Sequence, residues 1–327
     1  MDPRTAPSGS PARRVVELAC GAPSVHNTQP WLWRVDGTRV DLYADRSRQL
    51  FVADPAGRNL LVSCGAALHQ ARVAAQALGT PADVVLLPDP GDPDHLARLE
   101  LRRGPRPADA VERLATLARR VTDRRRFTSW PVPEERLALL AASVTTPGVR
   151  ALPLVDTTTR FRVELLVERA RDHQLGDARL AAEQRSWVDR GRGEGVPSAS
   201  IPEPTGHAGA PVGRFTSGAA GPAAPRTGLL EGSDGLLALC TDTDDPRAWL
   251  GTGEALSQLW LAATVDGLSV VPLSQVVEVP STREAMRTEV LGGLAHPQVL
   301  VRLGWQEIGR SQLPRTPRRP VDDVLLP

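Results

Sequence analysis

Lysine is absent from this sequence, and its absence excludes whole classes of function. All 39 basic side chains are arginines, and 38 acidic side chains balance them to a net charge of +1. Without lysine there is no Schiff base for ordinary pyridoxal-phosphate chemistry and no P-loop lysine to hold a nucleotide. The small net charge provides no global field that would attract a polyanion. An anion site in this chain must therefore be a local cluster of arginines.

Cysteine is scarce as well. Cys20, Cys64 and Cys240 are far apart and form no CxxC pair, so we expect neither a disulfide framework nor a zinc site. The first residues lack the apolar core of a signal peptide, and no apolar run is long enough to span a bilayer. We expect a cytoplasmic protein without a membrane segment, because the reducing cytoplasm suits free cysteines.

Several catalytic motifs are also missing. There is no GxSxG nucleophile turn and no HExxH motif, and the histidines show no metal-ligand spacing. The glycine-rich stretches at 191–195 and 251–253 do not follow a strand and open a helix, as a dinucleotide fingerprint requires. We therefore expect no metal site and no Rossmann-type nucleotide site.

The hydrophobic pattern alternates between helices and strands, which is typical of an α/β or α+β protein. Predicted helices cover 11–20, 54–78, 107–120, 158–173, 178–189, 246–265 and 281–291, with another beginning at 133. Predicted strands cover 31–43 as a hairpin, 83–87, 95–102, 149–155, 236–240, 269–273 and 298–303. Because helix, strand, long helix and strand recur in the same order, the chain has a loose twofold rhythm.

The segment at about 191–232 is dense in glycine, proline and alanine. A loop of this length inside a compact chain is usually functional or disordered. It is interpreted as a lid over a site, with a flexible linker as the alternative. Residues 1–10 are interpreted as a disordered lead.

Two prolines, Pro23 and Pro30, bracket a run of polar residues between the first helix and the first strand. Ser24, Asn27 and Gln29 offer hydrogen-bond donors and acceptors, which suit the ring edge and the ribityl hydroxyls of a flavin. The alternative is a capping loop whose side chains bind their own backbone.

Arg120, Thr122 and Arg124 alternate along the chain, so in an extended segment they point to one side. Two guanidinium groups and a hydroxyl on one face form a good phosphate clamp. The alternatives are a solvated basic turn and a nucleic-acid-binding patch over 119–126. The patch would bind with a steep salt dependence, and the small net charge argues against it.

Two further groups depend on their position in the chain. Ser274 and Gln275 directly follow a predicted strand, and ligands collect at the carboxyl ends of strands in α/β proteins. Arg318 and Arg319 add two guanidinium groups in the C-terminal tail, although this pair alone identifies no ligand.

Together these motifs resemble the nitroreductase superfamily. The stretch PSVHNTQPWLW is similar to its P-S-x-x-N-x-Q-P-W loop, and RVTDRRRFTSWPVPEERL is similar to its arginine-rich entry. The stretches GEALSQLWLAATVDGLSVVPLSQ and LVRLGW…PRRPVDDVL resemble its central helix with the following strand and its C-terminal end. The resemblance therefore covers most of the chain.

The order of the motifs differs from that of a single nitroreductase unit, where the arginine motif precedes the polar loop. The order here resembles the Acg subfamily, in which two units are fused. The resemblance implies an α+β fold of three-layer α/β type, with tandem halves that form an intramolecular pseudo-dimer with a lid insertion. The degenerate first half is placed at 11–106 and the second at 107–327, with the lid at about 191–232 and a C-terminal arm at 310–327.

The resemblance implies one FMN per chain. Arg120 and Thr122 match phosphate ligands, Arg318 or Arg319 are further candidates, and Arg124 matches a cation near flavin N1 and O2. No catalytic acid or base is implied, because the chemistry takes place on the flavin.

The remaining contacts to the flavin are implied from both halves. Those from the first half are Pro23, Ser24, Asn27 and Gln29. Ser274 and Gln275 lie where the family places backbone contacts near flavin N5 and O4.

The implied function is two-electron transfer from NAD(P)H to a nitroaromatic, a quinone or a similar small acceptor. One chain would suffice for the site, further dimerisation stays open, and no nucleic-acid or membrane partner is expected. The alternative is a flavin-sequestering or stress-related protein with little turnover, in which the lid covers the face where a nicotinamide would stack.

Overall fold

Two antiparallel sheets with the same strand order form the framework of the chain. The computed structural model describes residues 9–125, 127–191, 193–201, 230, 234–306 and 315–327. The first sheet has the order β1-β2-β4-β3, and its strands are β1 (Trp31–Asp36), β2 (Arg39–Ala44), β3 (Ala82–Leu86) and β4 (His95–Leu101). The second has the order β5-β6-β8-β7, and its strands are β5 (Val149–Pro153), β6 (Gly235–Thr241), β7 (Leu268–Leu273) and β8 (His296–Trp305).

The two sheets also share an irregularity. The register shifts between Leu42 and Tyr43, where β2 pairs with β4, and between Leu239 and Cys240, where β6 pairs with β8. These are matching positions in the two sheets, because β2 and β6 occupy the same place in the strand order. The predicted α+β class with two related halves is confirmed.

The helices in the described part of the chain follow the predicted order. Their bounds are α1 (Pro11–Ala19), α2 (Arg58–Ala77), α3 (Ala110–Arg119), α4 (Glu134–Ala142), α5 (Thr157–Gly176), α6 (Ala178–Ser186), α7 (Pro246–Val265), α8 (Gln275–Glu278) and α9 (Pro280–Ala285). A π-helical turn at Met286–Val290 continues α9. None of these helices combines the length and the apolar character needed to cross a bilayer.

Helices α2 and α7 pack against each other at the centre, and their closest approach is between two glycines. Gly65 is the eighth residue of α2, and Gly253 is the eighth residue of α7. A Cβ on Gly65 would overlap the carbonyl oxygen of Leu250 and lie 3.0 Å from the Gly253 Cα. A Cβ on Gly253 would overlap the carbonyl oxygen of Val62 and lie 2.8 Å from the Gly65 Cα. The contact is therefore reciprocal, as in an isologous dimer interface.

The two sheets differ in the number of their faces that are buried. Trp31, Trp33, Val40 and Leu42 of the first sheet are fully buried against α1 and α2, whereas its other face carries charged groups. The second sheet is covered on both faces, so every residue of β6 is buried. A continuous apolar strand of this kind is typical of a sheet between two helical layers.

The C-terminal residues return to the first sheet. Leu325 forms a parallel bridge with Trp33, and the Leu326 N–H donates to the Trp33 carbonyl at 2.6 Å. Val324 is fully buried in the core of the first sheet. Most of the predicted lead (1–10), most of the lid (about 191–232) and residues 310–314 of the arm lie outside the described residues.

The start of α2 differs from the prediction, which placed it at Asp54–Pro55. The helix begins at Arg58, after Gly57 in a left-handed conformation with φ of 77°. Asp54 still caps the helix, because its Oδ2 accepts from the Leu60 N–H at 2.9 Å. Burial raises the pKa of Asp54 from 3.8 to about 6, opposed by the backbone N–H groups and reinforced by the charge of Glu278.

Gly65→Ala is expected to destabilise the chain, because the added methyl meets a backbone carbonyl that no rotamer change can move. Overpacking of this kind costs about 1–3 kcal/mol or more. Urea unfolding measures the effect. Gly176→Ala, at an open position in the last turn of α5, is the matched control and should change stability by less than about 1 kcal/mol. Equal stability of the two variants would contradict the close approach of α2 and α7.

Asp54→Asn is expected to flatten the pH dependence of stability. The folded pKa of about 6 exceeds the unfolded value of 3.8, so the folded state binds the extra proton. The stabilisation is complete below the unfolded pKa and is lost as pH rises through 6. The unfolding free energy of wild type, relative to the variant, should therefore fall by about 2.4 kcal/mol from about pH 4 to pH 7. A parallel pH profile for wild type and Asp54→Asn, with exposed Asp36→Asn as control, would refute this.

Candidate functional site

A cleft opens where the two halves meet, between the start of α2, the middle of α7 and the carboxyl end of β7. The space inside it that is not filled by protein atoms is about 1060 Å³, a figure that includes the solvent at its open mouth. Its lining comprises Pro23, Ser24, Val25, His26, Asn59, Val62, Ser63, Ala66, Thr122, Arg124, Leu256, Trp260, Val271, Pro272, Leu273, Ser274, Gln275, Val299 and Arg302.

The polar loop, residues 23–30, contributes to the cleft and has an unusual backbone conformation. His26, Asn27 and Gln29 have φ values of 47°, 55° and 50°. Such left-handed residues are rare outside glycine, and they cluster at functional sites where the surroundings hold them in place. Two serine hydroxyls hold this loop, because Ser24 Oγ accepts from the Gln29 N–H at 2.9 Å and Ser63 Oγ accepts from the Val25 N–H at 3.1 Å.

The structure places the predicted residues of this loop in two groups. Pro23 and Ser24 line the cleft. Asn27 and Gln29 turn away from it and bind chain segments from the second half. Asn27 Nδ2 donates to the Gly195 carbonyl at 2.9 Å and to the Pro317 carbonyl at 3.0 Å. The Asn27 side chain therefore binds two backbone segments of the second half and holds them against the loop.

Gln29 binds the same two backbone segments as Asn27, but at Gly193 and Arg319 instead of Gly195 and Pro317. Its Nε2 donates to the Gly193 carbonyl at 2.7 Å, and its Oε1 accepts from the Arg319 N–H at 2.9 Å. Arg48 adds an ion pair with Glu194. The described start of the predicted lid, residues 193–195, is thus fixed to the polar loop.

Arg120 and Arg318 converge behind the wall of the cleft. Arg120 Nη2 and Arg318 Nη2 both donate to the Gly21 carbonyl, at 3.0 and 3.1 Å, beyond the C-terminal end of α1. The Arg120 guanidinium lies 4.8 Å from the ring centroid of Trp260, which lines the cleft. Arg120 therefore adjoins the cleft from behind.

Both guanidinium groups are buried and lack their full set of acceptors. Arg120 Nε and Nη1 and Arg318 Nε are buried with no hydrogen-bond partner in the described part of the chain. Burial and the Arg318 charge lower the pKa of Arg120 to about 9, and burial lowers the pKa of Arg318 to about 10. Two neighbouring buried cations repel each other, so an anion that binds both would relieve a cost of folding.

The rest of the arginine run has several environments. Thr122 and Arg124 line the cleft, as an extended segment allows. Arg119 is exposed at the end of α3, and Arg125 binds the buried Asp123 carboxylate at 2.7 Å. The run from 119 to 125 therefore presents no continuous basic face of the kind that nucleic acid would need.

The second C-terminal arginine takes a separate position. Arg319 lies 3.5 Å from the Asp45 carboxylate and donates to the Asp323 carbonyl at 2.7 Å. Its charge is thus balanced by an acid, in contrast with that of Arg318. At the opposite wall, Ser274 and Gln275 follow β7 directly and line the cleft together with Pro272.

Sequence reasoning missed Arg302, which lies in β8 and lines the cleft. Its Nε lies 2.8 Å from Asp234 Oδ2, and these side chains are only 3% and 1% exposed. Its guanidinium lies 4.2 Å from the ring centroid of Phe127. The signal was available, because Arg302 is the one charge in the apolar stretch VLVRLGW. Asn59 and Trp260 were also missed, because a helix pattern does not show which of its positions faces a cleft.

The chemistry of the site follows from these groups. The cleft offers apolar walls, serine and amide groups at both ends, and guanidinium groups on one side. The buried pair Arg120–Arg318 behind the wall provides donors for a small anion. Such a site fits a planar ring system that carries an anionic group such as a phosphate.

No family model matches the chain. A protein of Mycobacterium tuberculosis (strain H37Rv) named "Putative NAD(P)H nitroreductase Rv3131" is 40% identical over 324 residues, which cover 98% of this chain and 92% of that protein. "Putative NAD(P)H nitroreductase acg" of the same strain is 33% identical over 322 residues, covering 95% and 94%. A nitroreductase with bound FMN from Bacteroides fragilis matches structurally over 62% of this chain and 92% of its own, at 16% identity and a TM-score of 0.39.

Proposed function

This chain belongs to the nitroreductase superfamily, and we propose that it is an oxidoreductase that holds one FMN in the cleft between its two halves. The observation that carries this proposal is the buried pair Arg120–Arg318, which has unpartnered donors and, among the residues that the structure describes, no carboxylate paired with it. A phosphate monoester supplies the acceptor oxygens and the negative charge that this pair lacks. The residues present therefore fit the anionic end of FMN.

The cleft also suits the ring of FMN. Thr122 and Arg124 lie on its wall beside the arginine pair, and Trp260 and Val271 supply apolar surface. A guanidinium group near N1 and O2, the role proposed for Arg124, would stabilise negative charge on that part of the ring. Pro23 and Ser24 from the first half, with Ser274 and Gln275 from the second, complete the proposed contacts.

We assign Asn27, Gln29 and Arg319 a supporting role in this site. Asn27 Oδ1 accepts from Arg318 Nη1 at 3.1 Å and so helps to aim the phosphate-binding cation. Gln29 and Arg319 bind each other and hold the C-terminal arm in place. These residues would act through Arg318 and through the shape of the loop.

One FMN per chain follows from the division of these residues. The polar loop belongs to the proposed unit 11–106, and the arginines belong to the proposed unit 107–327. Because each unit supplies a different part of a single cleft, one chain suffices for the site. When bound, FMN would supply two-electron transfer from NAD(P)H to a small acceptor such as a nitroaromatic or a quinone.

A second candidate function is storage or shielding of the flavin with little turnover. It is favoured by the contacts that fix residues 193–195 to Asn27 and Gln29, next to the loop that lines the cleft. The described start of the predicted lid therefore lies beside the proposed flavin site. The two functions differ in whether a nicotinamide reaches the flavin.

Arg120→Met should weaken FMN binding by roughly 1.5–3 kcal/mol, the value of a hydrogen bond to a charged group, which is about 10- to 100-fold in Kd. Methionine keeps an unbranched apolar stem in the buried position while it removes the cation that lies over the Trp260 ring. Flavin fluorescence quenching on titration of the apoprotein measures Kd. The unfolding midpoint of the apoprotein should stay the same or rise, because the variant removes a buried cation whose burial and whose neighbour Arg318 both oppose its charge.

Arg119→Met is the matched control, since Arg119 is the exposed neighbour of Arg120. It should leave FMN binding unchanged. Equal affinity of wild type and Arg120→Met would show that the phosphate does not bind the buried pair. Failure of the wild type to bind FMN would remove the proposal altogether.

Stopped-flow absorbance separates turnover from storage. With the flavin bound, NADPH or NADH should bleach the flavin band, and added quinone should restore it. If the band bleaches only after excision of residues 196–229, the chain shields its flavin and the storage function applies. Dithionite, which is small and needs no stacking, is the control that shows that the flavin is competent in both proteins.

A further inference from the structure

A carboxylate next to the cleft holds two amide side chains in fixed orientations. Glu278 lies at the end of α8, and each of its oxygens accepts from a different amide. Asn59 Nδ2, at the start of α2, donates to Glu278 Oε1 at 2.9 Å. Gln174 Nε2, near the end of α5, donates to Glu278 Oε2 at 2.7 Å. Three helices from both halves thus meet at one acid.

The network extends from Gln174 to the wall of the cleft. Gln275 Nε2 donates to Gln174 Oε1 at 2.8 Å. An ionised carboxylate only accepts hydrogen bonds, whereas an amide has one donating and one accepting end. The acid therefore sets the orientation of Gln174, and Gln174 in turn sets that of Gln275. Amide orientations are fixed by such networks.

The network determines which end of two amide side chains is left for a ligand in the cleft. Asn59 and Gln275 both line the cleft, and both have turned their N–H₂ groups into the network. Neither side-chain oxygen accepts a hydrogen bond within the described ranges of the chain. Neither oxygen is among the fully buried polar atoms that lack a partner, so each has some accessible surface. This wall of the cleft thus offers acceptors, whereas the wall with Arg124 and Arg302 offers donors.

We propose that Glu278 is a positioning residue that makes this wall an acceptor for an N–H group of the bound ring. The inference rests on the proposed function, because the N–H in question is N3–H of FMN. In the flavin ring, N3–H lies between the carbonyls O2 and O4. Donors that bind those carbonyls must therefore leave room for an acceptor between them. Asn59 or Gln275, held by Glu278, provides it.

Glu278→Gln replaces the carboxylate with an amide of nearly the same size. The amide still forms hydrogen bonds, but it no longer fixes the orientation of both partner amides. A neutral amide at 278 can accept at one end only, so either Asn59 or Gln174 must turn to find a new partner. An amide that turns presents N–H₂ to the cleft, where it opposes N3–H of the ring. The loss is specific to a ligand that carries this N–H.

The test compares two probes, FMN and FMN methylated at N3, by fluorescence titration of the apoprotein. Wild type should bind FMN at least about tenfold more tightly than N3-methyl-FMN, as expected for one hydrogen bond of about 1.4 kcal/mol. Glu278→Gln should lose about tenfold in affinity for FMN and less than about twofold for N3-methyl-FMN. The preference for FMN should therefore largely disappear.

Two further variants make the outcome specific. Glu284→Gln, an exposed carboxylate on α9 with 62% of its side chain accessible, should leave both affinities unchanged. Gln174→Met removes the branch from Glu278 to Gln275, leaves Asn59 bound to Glu278, and should give an intermediate loss for FMN. The unfolding midpoint of each apoprotein reports on folding.

The outcomes separate this inference from the proposed function. If the wild type binds FMN but Glu278→Gln keeps the full preference over N3-methyl-FMN, the preference is steric and the role of Glu278 is refuted. An equal loss for both probes would also refute it, since the carboxylate would then only support the fold. Absence of FMN binding in the wild type would instead refute the proposed function.

Discussion

The close approach of α2 and α7 is the constraint on which the rest of the structure depends. Two glycines, Gly65 and Gly253, let each helix place its backbone against a carbonyl of the other. This contact fixes the distance between the two halves, and so it fixes the width of the cleft that opens beside it. The ion pair between Arg72 and Glu254 at 2.7 Å and the hydrogen bond between His69 and Ser257 at 2.9 Å extend the same interface. The cleft lies where the two halves meet at this spacing.

The polar groups around the cleft fall into two kinds, which contribute to folding in opposite ways. Arg58 pairs with Asp244 and Arg302 pairs with Asp234, so each of these two buried guanidinium groups has a carboxylate beside it that balances its charge. Arg120 and Arg318 are not balanced in this way. Both donate to the Gly21 carbonyl, and Arg120 Nε and Nη1 and Arg318 Nε have no hydrogen-bond partner among the described residues. Their unbalanced charge thus reduces stability at the place where we propose that the phosphate binds.

Much of the fold could be predicted from the sequence, because local signals and burial agree in most elements. The bounds of α7 match the prediction, since Asp245 caps it and Pro246 occupies its first turn. The start of α2 was misplaced because Asp54 caps from a loop several residues before the helix. In the site, the composition of the polar loop singled out a segment of which Pro23 and Ser24 line the cleft. It could not show that Asn27 and Gln29 turn away from the cleft, because their orientation depends on hydrogen bonds to the backbone of residues 193–195 and 317–319. Glu278 gave no signal, since its partners lie far apart in sequence.

Covalent fusion has one further consequence for the reciprocal glycine contact. In a homodimer, every substitution near the axis occurs twice, so a change that suits one side of the interface is imposed on the other. In this chain the two sides are encoded separately, so one substitution can alter Arg120 or Gln29 without a counterpart elsewhere. Only the positions that touch across the pseudo-axis remain tied to each other. A symmetric scaffold can therefore support an asymmetric pocket, and selection can adjust each wall independently.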